Sequence, residues 1–126
     1  IPSNAKYYLN LYDAGSTELK VEQDLFVYMV SGSWSQGTGK TDSNPVIEDG
    51  ASWKFRSGTE QWLEGSDTQG GTWWTSSLSG QYSHESSFTL DHETTDVRMD
   101  VTGLVKNQIY SGSTYGQNGF IIKRLI

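Results

Sequence analysis

Between Lys6 and Tyr12 the chain alternates with a period of two. Tyr7, Leu9 and Leu11 fall on one face, and Tyr8, Asn10 and Tyr12 on the other. The pattern predicts a strand with one face on a core. Asp13-Ala14-Gly15-Ser16 is a turn signal, after which alternation resumes from Leu19 to Val21. From Leu25 to Val30 both faces are apolar (Leu25, Val27 and Met29 against Phe26, Tyr28 and Val30), as a central strand requires.

The text changes from Ser31 to about Ser83. Glycines stand at 32, 37, 39, 50, 58, 65, 70, 71 and 80, and all five tryptophans lie among them. Only Trp53-Lys54-Phe55-Arg56 and Gly71 to Ser76 look strand-like there. So long an irregular stretch is either functional or disordered, and its tryptophans argue against disorder. Regular patterning returns at Ser87 to Leu90 and at Asp96 to Val101, where Val97, Met99 and Val101 point inward and Arg98 and Asp100 outward. Thr102 is placed to N-cap one short helix, with Leu104, Val105 and Ile109 on its buried side and Gly112 closing it. Phe120 to Ile126 begins a last strand. These elements predict a single all-β domain over 1–126. Its form is an antiparallel, jelly-roll-like β-sandwich with one long Gly/Trp-rich loop insertion and one short helix.

Composition agrees: Gly, Ser, Thr and aromatic residues are abundant, whereas Leu and Ala are scarce. A net charge of −6 leaves no electrostatic footprint for nucleic acid, and no apolar run is long enough for a membrane helix. With no cysteine, disulfides, thiolate nucleophiles and cysteine metal sites are impossible. The sequence opens at Ile1-Pro2 and stops inside an apolar run at Leu125-Ile126. The expectation is an excerpt of a longer chain, with edge strands missing at both ends.

Several blocks have a familiar order. Tyr7-Tyr8-Leu9-Asn10-Leu11-Tyr12, Leu25-Phe26-Val27-Tyr28 and Ser33-Trp34-Ser35-Gln36-Gly37-Thr38 come first. Asp100-Val101-Thr102-Gly103-Leu104-Val105, Gly112 and Asn118-Gly119-Phe120-Ile121-Ile122 follow. Together they resemble the DNRLRE-type (disaggregatase-related) extracellular β-sandwich modules. Ser43-Asn44-Pro45, Asp49 to Arg56, Gly70-Gly71-Thr72-Trp73-Trp74 and Asp96 to Thr102 are most similar to the copies in virion structural proteins of tailed phages of marine cyanobacteria. The chain departs from that family in lacking its first and last strands, and in having Gln108 or Ile109 where the helix normally carries Trp.

Catalytic and metal motifs are weak by comparison. Gly37-Thr38-Gly39-Lys40-Thr41 imitates a phosphate loop, but Trp34 stands where the motif's first Gly belongs. His92-Glu93-Thr94-Thr95-Asp96 imitates a zinc helix with Asp in place of the second His. His84 among Ser83, Ser86 and Ser87 lacks a nucleophile elbow. The acid pairs Glu60/Glu64 and Asp91/Glu93 sit in loops, without the apolar setting that raises one pKa. The domain is therefore read as non-enzymatic and without a cofactor. Ca²⁺ is the one weak metal candidate, at Asp42, Asp49 and Asp67 with Glu48 and Glu64 nearby in sequence.

The aromatic residues carry the binding argument, because Trp and Tyr stack on sugars and anchor protein interfaces. Trp62, Trp73, Trp74 and Tyr82 are the candidate glycan- or partner-binding residues. One of the adjacent pair Trp73/Trp74 must face outward if that segment is extended. Trp34 and Trp53 are expected in the core by the burial habit of Trp.

The resemblance implies a structural module of a phage capsid, neck or tail appendage. Its partners would be other virion proteins and copies of itself, and it would contact host-surface glycans. The alternative is a carbohydrate-binding module of a secreted or cell-surface bacterial protein.

Overall fold

The computed structural model describes residues 4–12, 22–62, 70–75, 82–91, 96–110 and 114–124. Its organiser is the doubly apolar strand β2 (Gln23–Met29); β1 (Tyr8–Tyr12) precedes it. The hairpin strands β3 (Phe55–Ser57) and β4 (Glu60–Gln61) follow, then β5 (Glu85–Leu90) and β6 (Asp96–Asp100). Helix α1 (Thr102–Tyr110) and β7 (Phe120–Arg124) complete the order.

β2 is central, as its pattern predicts, and lies antiparallel between β5 and β7. Leu25, Val27 and Met29 face inward, sharing that face with Phe88 of β5 and Phe120 of β7 through register pairs Leu25↔Phe88 and Met29↔Phe120. The opposite face carries Phe26 and Tyr28, with Lys123 and Ile121 of β7 beside them.

A second antiparallel sheet joins β1 to β6 through Leu9↔Met99 and Leu11↔Val97. The polar pair Asn10↔Arg98 lies on its other face. Arg98 reaches diagonally over the Tyr8 ring, 3.9 Å from its centroid. The two sheets share one core of Val27, Met29, Val97, Met99, Val101, Leu104 and Tyr115. With the small β3–β4 sheet and one short helix, the fold is all-β and sandwich-like.

The helix departs from expectation in detail. Thr102 is its first residue rather than its cap: the Asp100 carboxylate accepts the Thr102 N–H at 2.9 Å, and Val105 N–H donates to Val101 O at 3.0 Å. The Thr102 hydroxyl is occupied elsewhere, accepting the Tyr7 N–H at 2.9 Å where β1 begins. Ile109, expected inside, is 37% exposed, and the buried partner of Leu104 is Asn107. The reason is backbone satisfaction. The segment at Tyr82 and Ser83 passes so close to α1 that a Cβ on Gly103 would lie 2.9 Å from Ser83 N. Asn107 then accepts the Tyr82 N–H at 3.2 Å and donates to Tyr82 O at 3.1 Å and Ser83 O at 2.9 Å.

The strand expected over Gly71 to Ser76 reduces, within the described residues, to a single bridge, Val30↔Trp73. Gly70 and Gly71 have φ of 84° and 103°, so the backbone leaves the extended region just before it could pair at length. Leu19–Val21, the His92–Thr95 turn and the closing Gly112 lie outside the described residues.

Candidate aromatic cleft

The site is built on the outer face of β2 and β7 and on one turn of the Gly-rich insertion. The turn is closed by Ser52 N–H to Phe55 O (2.7 Å) and Phe55 N–H to Ser52 Oγ (3.1 Å). Beneath it lies Trp62, only 7% exposed, whose indole N–H donates to Ser52 O at 2.7 Å. Trp62 therefore serves inside the fold as a support for this turn, and is not an exposed platform.

The residue presented at the turn is Trp53, which is 65% exposed. The core placement expected for it is incorrect. Its carbonyl accepts the Gly70 N–H at 2.6 Å, and a Cβ on Gly70 would stand 2.8 Å from the indole ring. The ring thus rests on glycine backbone, which only a residue without a side chain permits. Trp34, also expected inside, is 45% exposed, because its indole N–H reaches across to Asn118 O at 2.6 Å in the turn before β7.

Trp73 and Trp74 diverge as an extended pair must. Trp74 turns inward and meets Tyr115 edge to face at 5.0 Å. Trp73 stays on the outer face, where Tyr28 packs at 6.0 Å and Lys123 Nζ lies over the ring, 3.9 Å from its centroid. Tyr28 in turn stacks on Phe26 at 6.3 Å. Burial first, and then the Glu85 carboxylate opposite in β5, push the Tyr28 phenol above its ordinary pKa.

Trp53 and Trp73 line one cleft of about 380 Å³, together with Gly70, Ile121, Ile122, Lys123 and Arg124. Among the described residues two cations and no acid line this cleft, in a chain of net charge −6. Arg124 donates from Nη1 to Gln23 Oε1 at 3.1 Å, which leaves further guanidinium N–H groups for a ligand. A larger cleft, of about 630 Å³, runs between Gln36, Lys40, Ile47, Ser52 and Phe55. It contains no tryptophan, and its one engaged carboxylate, Asp49, is already committed.

The structure thus separates the four aromatic candidates. Trp62 is a buried support, Trp74 is partly buried against the core, and Trp73 lines the cleft. Tyr82 is 43% exposed beside α1, with Tyr110 at 6.4 Å and Lys106 Nζ 5.5 Å over its ring. Sequence reasoning missed Trp53, Ile121, Lys123 and Arg124. The one available signal, Gly70-Gly71 preceding Trp73, gains meaning only once Trp53 is placed upon it.

Among the described residues the acidic candidates Asp42, Glu48 and Asp49 form no group that could hold a metal ion. Asp49 accepts the Thr38 hydroxyl at 2.6 Å and the Thr38 N–H at 2.9 Å, tying two loop segments together. Asp67 and Glu64 lie outside the described residues, and among the described residues no three His, Asp or Glu side chains gather around a point. No described helix is long and apolar enough to cross a membrane.

Chiefly through the Thr38 hydroxyl, the carboxyl of Asp49 is held below the usual carboxylate range. A depressed folded pKa contributes stability above the unfolded value of about 4 and loses it as pH falls through the folded value. Asp49→Asn is therefore expected to destabilise the domain at pH 6, with the difference from wild type vanishing in the strongly acidic range. Urea melts at a series of pH values measure this, and a pH-independent difference would remove the charge from the account.

No protein-family model, curated protein or solved structure matches the chain.

Proposed function

We propose that the chain is a non-enzymatic structural module of a phage virion, in a capsid, neck or tail appendage, and that it contacts host-surface glycans through the Trp53 cleft. The observation that carries the binding half is an indole seated on Gly70 and 65% exposed at the mouth of a cleft whose other wall is Trp73. An apolar ring face with nearby N–H donors suits a sugar, which offers C–H groups on one face and hydroxyls at its rim. The virion half is supported by the sequence blocks that resemble phage structural proteins.

Neighbouring chains fit the sheet geometry. Among the described residues the β1–β6 sheet has two strands, and such pairs gain stability from added strands or packing. In this reading the module works as a homo-oligomer among other virion proteins. Sedimentation is expected to show species heavier than the 14.0 kDa monomer. A single monomeric boundary across the concentration series would count against self-assembly.

The alternative, a carbohydrate-binding module of a secreted or cell-surface bacterial protein, would use the same cleft. Tandem mass spectrometry of purified phage particles separates the two. The tryptic peptide Thr41 to Lys54 is expected at structural-protein copy number. Recovery only from a secreted fraction, joined to peptides of an enzyme, would establish the alternative.

A further inference from the structure

Where Trp53 is 65% exposed, Trp73 is half-buried and carries a cation on its ring. Lys123 Nζ sits 3.9 Å from its centroid, the distance at which a sugar's C–H groups would stack. Among the described residues no carboxylate pairs with Lys123, so the ring is the contact that holds its ammonium on the cleft wall. Register explains the placement. Lys123 is opposite Phe26 in the β2–β7 ladder and Trp73 is opposite Val30, so both project from the outer face, one on each side of Tyr28.

We propose that Lys123 is a displaceable cover on Trp73 that determines the specificity of the cleft, a reading that rests on the saccharide function above. With the ammonium in place the cleft offers one stacking surface, Trp53, and accepts one neutral sugar ring there. With it displaced, Trp73 becomes a second surface and the cleft holds a longer oligosaccharide. The long flexible stem of lysine lets the charge leave the ring without moving β7. Because an exposed cation–π contact is weak, the cover shifts an equilibrium by only about two- to fivefold and does not block the site.

Two measurements test this. In ligand-free protein, Lys123→Ala is expected to raise acrylamide quenching of tryptophan fluorescence, and the increase should disappear in the Trp73→Phe background. Unchanged quenching overturns the cover. With a neutral β-glucan tetrasaccharide as probe, Lys123→Ala is expected to bind about two- to fivefold more tightly than wild type, again only when Trp73 is present. Weaker binding by Lys123→Ala would make the lysine a direct ligand contact and overturn the proposal. If neither protein binds the probe while quenching still rises, the cover stands and the saccharide reading fails.

Discussion

Asn107→Ala is expected to lower the unfolding free energy by about 3 kcal/mol. The side chain is wholly buried and makes three hydrogen bonds to the backbone of Tyr82 and Ser83. Each such bond contributes about 1 kcal/mol net, and its removal leaves a backbone group near the helix without a partner. Asn107→Leu restores volume without restoring partners and should lose nearly as much. Asn107→Asp keeps an acceptor for the Tyr82 N–H, loses both donations and buries a charge, so it should be no better. Urea titrations at constant m-value measure all three. A loss under about 1 kcal/mol for Asn107→Ala would mean that water replaces the amide, and that α1 is not fastened to the approach to β5 in this way.

Trp53→Ala is expected to do the reverse, leaving the urea midpoint almost unmoved while weakening the proposed saccharide binding at least tenfold. An exposed ring resting on glycine contributes little to the core, and surface substitutions usually cost within about 0.5 kcal/mol. A binding anchor of this kind commonly carries about 2 kcal/mol or more. Gly70→Ala should weaken binding in the same direction, because the new Cβ would stand 2.8 Å from the Trp53 ring and displace it. It also carries a folding cost of about 1–2 kcal/mol from the left-handed backbone at φ 84°. Isothermal titration of wild type and both variants against one oligosaccharide series decides the matter. Full affinity in Trp53→Ala would remove the cleft from the proposed binding function.

Much of the framework was legible because it follows local rules. Alternation placed β1, β2 and β6, and the inward set Val97, Met99 and Val101 is buried as read. The doubly apolar run at Leu25 to Val30 identified the one central strand of the three-stranded sheet. The divergence of Trp73 and Trp74 likewise follows from the pleat. Legibility ended where periodicity ended. For two tryptophans of the insertion, the placement goes with a distant carbonyl that accepts the indole N–H. Trp62 finds Ser52 ten residues back, and Trp34 finds Asn118 across most of the chain.

By itself, then, the sequence determined an all-β fold with one short helix, an aromatic-rich insertion after the Leu25–Val30 strand, and a net negative charge. These are properties of spacing and composition. Only the tertiary structure decided that Trp53 is outside and Trp62 inside, that Asn107 replaces Ile109 on the buried face of the helix, and that Lys123 Nζ stands over the Trp73 ring. Each depends on groups brought together from distant positions, and for Asn107 the reason is that the backbone N–H and carbonyl groups of Tyr82 and Ser83 need partners.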